Sequence, residues 1–145
     1  MCKEVLNFTA SCIPPTTTAQ QKGACVCNGK VRFFTKAKVK QAEQTWWHIL
    51  EPARKQLTAP LEGAVSVEIV LVYPHNKSTP KKVAPHLIPI STRPDVDNLI
   101  KALLDTMTHM AFWRDDSQVA ILHIEKWRGP EPGIELSISQ VQQRS

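Results

Sequence analysis

Residues 64–73 read Ala-Val-Ser-Val-Glu-Ile-Val-Leu-Val-Tyr, a β-branched run long enough to form the central strand of a sheet. The neighbouring segments supply its company. Residues 4–12 predict a strand ended by the Ile13-Pro14-Pro15 break, and 16–23 a polar loop carrying Gln20, Gln21 and Lys22. Residues 24–34 predict a second strand folded on itself at Asn28-Gly29, a dipeptide suited to tight hairpin turns. Strands are also expected at 118–127 and 134–140, the latter alternating Ile134, Leu136 and Ile138 on one side. The Gly129–Gly133 turn between them predicts an antiparallel hairpin.

Two stretches carry a helical period instead. From Thr35 to about Leu57, Val39, Ala42, Trp46, Ile49 and Leu50 fall at three- and four-residue steps. Trp46 at this spacing predicts core packing, with base stacking by the Trp46-Trp47 pair as the alternative. The second helix is expected from about Asp95 to Met107. Strands outnumber helices and do not strictly alternate with them. The expected fold class is therefore α+β, a mixed sheet with two main helices, and 145 residues make a single domain over 1–145.

Composition narrows the function classes. No apolar run reaches membrane-spanning length, and the start of the chain lacks the apolar core of a signal peptide. Free thiols in a reducing, cytoplasmic compartment are expected for Cys2, Cys12, Cys25 and Cys27. Cys25 and Cys27 are one residue apart, unlike a zinc half-site, and no Cys-His pair follows. The formal charge of +5 suits a polyanionic partner, as it suits many proteins that bind none. The segment 74–94 holds five of the eleven prolines together with Lys77, Lys81, Lys82 and Arg93. A long irregular segment in a small domain is usually a binding loop or a solvated one.

The chemistry concentrates further on. Val96, Leu99, Ile100, Leu103, Leu104 and Met107 share one face of the second helix; Asp97, Asn98, Lys101, Asp105 and Thr108 share the other. Asp95 is a natural N-cap, Asp97 and Asp105 are natural ion-pair partners of Lys101, and Asp115-Asp116 is a natural turn. The combination invites another reading. If the connection after the helix returns Asp116 to its N-terminus, three or four carboxylates converge. Each like-charge pair at about 4 Å costs about 4 kcal/mol at an effective dielectric near 20. Carboxylate oxygens without thiolate or imidazole select Mg²⁺ or Mn²⁺. Such a pocket in a basic chain fits phosphodiester hydrolysis.

The run Arg93-Pro94-Asp95-Val96-Asp97-Asn98-Leu99-Ile100-Lys101-Ala102-Leu103-Leu104-Asp105, followed by Asp115-Asp116-Ser117-Gln118-Val119, resembles the signature of the RusA-type Holliday junction resolvases. The resemblance is close over 93–119 and loose elsewhere. It implies a RusA-like fold and a Mg²⁺-dependent endodeoxyribonuclease, with Mn²⁺ able to substitute. It implies a homodimer that resolves four-way DNA junctions by paired symmetric nicks, in recombination and repair. The alternatives are a branch- or flap-selective nuclease and a catalytically silent junction-binding protein. By the same resemblance, Asp95, Asp97 and Asp116 are the metal-holding catalytic carboxylates and Lys101 the catalytic lysine. Asp115, Asn98 and Asp105 are supporting, and Lys77, Lys81, Lys82 and Arg93 are the DNA-binding candidates.

Overall fold

The computed structural model describes residues 2–16, 22–27, 30–35 and 37–144, with side chains for 3–16 and 40–144. Among these, seven strands and two helices follow in the order β1 (Cys2–Ala10), β2 (Lys22–Cys27), β3 (Lys30–Thr35), α1 (Ala37–Arg54), β4 (Val65–Pro74), β5 (Ile88–Pro89), α2 (Val96–His109), β6 (Val119–Gly129) and β7 (Gly133–Val141). A single 3-10 turn at Asp116–Gln118 precedes β6. Five strands form one mixed sheet in the order β1-β7-β4-β6-β5, while β2 and β3 pair antiparallel by themselves. The expected α+β class with two helices is what the chain adopts. The pairing of Cys27 with Lys30 accords with the expected hairpin, although Asn28-Gly29 lies outside the described residues, as do Gln20 and Gln21.

β4 is the central strand that its composition predicts, and it corrects one expectation. β6 and β7 are not a hairpin. β6 runs parallel to β4 on one side, and β7 antiparallel to β4 on the other. The reason lies in the backbone: Val65, Val67 and Ile69 are fully enclosed, and a strand set that deep needs a neighbour on each edge to pair its N–H and C=O groups. The Gly129–Gly133 connection therefore steps across the end of β4. Gly133 permits this, because a Cβ there would lie 2.6 Å from the carbonyl oxygen of Ala10.

Both helices contribute to the core against this sheet. Trp46, Leu50 and Ala53 of α1 and Leu99, Leu103 and Met107 of α2 are buried with Leu71 of β4 and Leu136 and Ile138 of β7. Trp46 is core, as expected, and Trp47 is 44% exposed. α1 stops at Arg54, shortly after Pro52 removes a backbone donor. Arg54 then holds two turns at once, donating to the carbonyls of Met110 (3.0 Å) and Leu57 (2.9 Å). It thereby ties the end of α2 to the segment leading into β4. Segment 74–94 is a series of turns, with Thr79 N–H on Asn76 O and Ala84 N–H on Pro80 O, ending where β5 pairs with β6.

Candidate active site

α2 presents the polar face that its period predicts. Leu99, Ile100, Leu103 and Met107 are buried, whereas Asp97 and Lys101 are exposed. Its C-terminus closes through Ala111 N–H to Thr108 O (3.0 Å) and Phe112 N–H to Met107 O (3.1 Å), with Ala111 at φ 62°. This is the Schellman pattern, in a left-handed position that glycine usually fills. Trp113 follows it inward and donates its indole N–H to Thr108 Oγ1 at 2.8 Å. The chain is thus turned sharply before Asp115-Asp116.

At the other end, Asp95 occupies the N-cap with extended backbone (φ −69°, ψ 144°) but makes no side-chain capping hydrogen bond. Lys101 likewise has no carboxylate within ion-pair distance among the described residues. The local roles that composition alone offered these two side chains are therefore not taken up.

Asp115 does take its local role. Its Oδ1 accepts from Ser117 N–H at 3.0 Å, and Gln118 completes a capping box by accepting from Asp115 N–H at 3.2 Å. The same Gln118 amide accepts from Arg114 N–H (2.9 Å) and donates to the carbonyls of Leu61 and Gly63, both at 2.9 Å. One side chain thus clamps the Asp-Asp turn to the segment that enters β4. Sequence reasoning passed over Gln118 as a conventional motif position.

The clamp sets the electrostatics. The Ser117 backbone N–H, then the hydrogen bond from Asp116, hold the Asp115 carboxyl below the ordinary carboxylate range. Asp116 is pushed up, first by its hydrogen bond to Asp115, then by partial desolvation and the charges of Asp115 and Asp105. The structure therefore links Asp105, Asp115 and Asp116 in one acidic patch spanning α2 and the 3-10 turn. Among the described residues, no three His, Cys, Asp or Glu side chains stand close enough to hold a metal ion. The donor chemistry nevertheless fits a hard divalent cation, since the patch is all carboxylate oxygen.

A further residue emerges only from the fold. Lys126 of β6 donates its ammonium to the carbonyls of Thr92 (2.6 Å) and Pro94 (2.7 Å), bracing the turn that presents Arg93 and Asp95. Its backbone carbonyl also accepts from Ile90 N–H at 3.2 Å. The one sequence signal for it is a lysine in phase with Ile124 and Arg128 on an alternating strand. Arg93 is exposed, as are Lys77, Lys81 and Lys82 in the turns before it.

An acidic helix-and-turn patch beside exposed cations, on a mixed sheet, is a setting suited to cutting nucleic acid, and comparison with known proteins defines the class. The family model described as Endodeoxyribonuclease RusA matches residues 13–139, which include both helices and the Asp115-Asp116 turn. The chain belongs to this endodeoxyribonuclease family. It is 29% identical over 133 residues to the uncharacterized protein YqaN of Bacillus subtilis (strain 168), covering 88% of this chain and 91% of that protein. It is 41% identical over 51 residues to the crossover junction endodeoxyribonuclease rusA of Lactococcus phage r1t, covering 35% of this chain and 39% of that one.

Proposed function

We propose that this endonuclease resolves Holliday junctions by paired symmetric nicks, using Mg²⁺ or Mn²⁺, as one 1–145 unit acting in a homodimer. Asp95, Asp97 and Asp116 are the proposed cation ligands. Asp115 fixes Asp116 through the turn, and Asn98 and Asp105 shape the surrounding polar face. A bound divalent cation supplies a water of lowered pKa and neutralises charge on the phosphate. Asp116 is shifted up by Asp115, by partial desolvation and by Asp105, and a cation binds its ionised form, so cation affinity rises with pH as Asp116 ionises. Lys101, one helical turn beyond Asp97, offers a positive charge to the phosphate oxygens in the transition state. Lys77, Lys81, Lys82 and Arg93 hold the DNA backbone.

The observation that carries this reading is Asp95, an N-cap aspartate whose carboxylate makes no cap bond. The name of the phage relative supports the choice of junction over linear duplex. Two like sites related by a two-fold axis suit a four-way junction, whose own symmetry calls for an isologous dimer.

The test is cleavage of synthetic four-way, three-way, flap and linear DNA with and without Mg²⁺. Paired nicks confined to the four-way junction and dependent on the cation are expected. Preference for flaps or three-way branches would make the protein a branch-selective nuclease. Junction binding without cleavage in Mg²⁺ or Mn²⁺ would make it a silent binding protein. Light scattering should give close to twice the 16.3 kDa chain mass.

A further inference from the structure

Beside the N-terminal end of α2 lies a cavity of about 190 Å³ lined by Ile13, Tyr73, Ile90, Arg93, Pro94, Lys126 and Arg128, among others. Three of these side chains are cations, and no carboxylate lines the cavity. None of the three has an acidic partner within ion-pair distance among the described residues. The volume is below the roughly 300 Å³ at which pockets begin to enclose whole small molecules, so a single charged group is the better match.

The fold explains how the cations come together. Lys126 and Arg128 are two apart on β6 and so share a face, while Arg128 lies opposite Tyr73 of β4. Both heads are anchored with donors to spare. Lys126 directs two of its three N–H donors to Thr92 and Pro94, and Arg128 directs one of five to the carbonyl of Pro74 at 3.0 Å. Tyr73 donates to Pro15 O at 3.0 Å, and burial holds its phenol neutral well above the ordinary range. The guanidinium and ammonium groups that line this space thus keep donors free for an anion.

We propose that this cavity is a phosphodiester subsite, in which Arg128 and Lys126, with Arg93, hold the DNA phosphate next to the scissile one. Its location follows from chain continuity: Pro94 lines the cavity and Asp95 is the next residue. The same lysine that receives the backbone phosphate braces the turn bearing Asp95, so the bound strand and the carboxylate share one support. The position of this phosphate rests on the proposed role of Asp95; the anion site itself does not.

Binding of a synthetic four-way junction in the absence of divalent cation tests it. Single methylphosphonate linkages are scanned across the branch point, each removing one phosphate charge. For the wild-type protein, one linkage adjacent to the cut should weaken binding roughly tenfold. In Arg128→Gln that penalty should vanish while penalties elsewhere persist, and Arg128→Lys should retain most of it. The log–log salt slope should fall by about 0.9 in Arg128→Gln. A flat scan on the wild-type protein overturns the proposal without any variant, so loss of folding cannot hide it. Equal penalties in wild type and Arg128→Gln also overturn it. Tight binding of inorganic phosphate with a flat scan would assign the cavity to a small anion instead. A positive scan from a protein that cuts no junction in Mg²⁺ or Mn²⁺ would keep the subsite and reject the resolvase reading.

Discussion

Asp115 caps the 3-10 turn that Asp116 opens, and their carboxyls are shifted in opposite directions, Asp115 down and Asp116 up. Asp115 can remain ionised because the Ser117 backbone N–H already points at it. For Asp116 the hydrogen bond to Asp115, partial desolvation and the charges of Asp115 and Asp105 outweigh the lowering by its own backbone N–H. Carboxyl carbon titration by NMR should therefore give two midpoints, Asp115 below and Asp116 above their ordinary value of 3.8. The signs for stability are opposite. The contribution of Asp115 is present above 3.8 and is lost as pH falls through its lowered midpoint. That of Asp116 is present below 3.8 and is lost as pH rises through its raised one. Adding Mg²⁺ should draw the Asp116 midpoint down. Midpoints that coincide, or that ignore Mg²⁺, would dissolve the link between this pair and the cation.

Gln118 should prove structural. Replacing it with Ala deletes the amide that serves Arg114, Asp115, Leu61 and Gly63, at a cost of about 1–3 kcal/mol. Gln118→Glu should cost more, since it removes the two donors to carbonyls and adds a third carboxylate beside Asp115 and Asp116. Urea unfolding measures both. A Glu variant as stable as the wild type would mean that the Asp-Asp turn is held by something else.

Ala111→Gly should stabilise the protein by about 1 kcal/mol, because the φ of 62° strains an alanine and not a glycine. The denaturant midpoint should rise with an unchanged slope. No rise would mean that the extra freedom of the unfolded glycine offsets the strain relieved.

The lysines should separate by function. Lys101→Met should reduce cleavage by orders of magnitude with little loss of junction affinity. A surface ion pair, by contrast, would cost under about 1 kcal/mol of stability and no activity. Lys81→Ala combined with Lys82→Ala should weaken binding and lower the salt slope by about 0.9 for each phosphate left without its cation. A Lys101→Met protein that binds poorly yet cuts normally once saturated would reduce Lys101 to a backbone contact.

Much of this was legible in local pattern. The period of Leu99, Ile100, Leu103 and Met107 assigned the buried face of α2, and hence the exposed one that carries Asp97 and Lys101, because helical geometry relates residues three and four apart wherever the helix sits. The β-branched run of β4 declared a strand, whose alternation turns Val65, Val67, Ile69, Leu71 and Tyr73 into the core. Motif spacing between Arg93 and Val119 pointed to the family. The use each side chain makes of its setting was another matter. Asp95 and Asp115 both invite capping by composition, and only Asp115 caps, because its neighbour Gln118 finds carbonyls at Leu61 and Gly63 to hold it. β6 and β7 looked like a hairpin across a short turn, but the gain from enclosing β4 on both edges separated them. Lys126 acquired its place beside Thr92 and Pro94 from that same strand order. Local periodicity records which face a residue turns inward. Which distant backbone group it then meets is decided by sheet order, a balance of burial summed over the whole chain that no short segment carries.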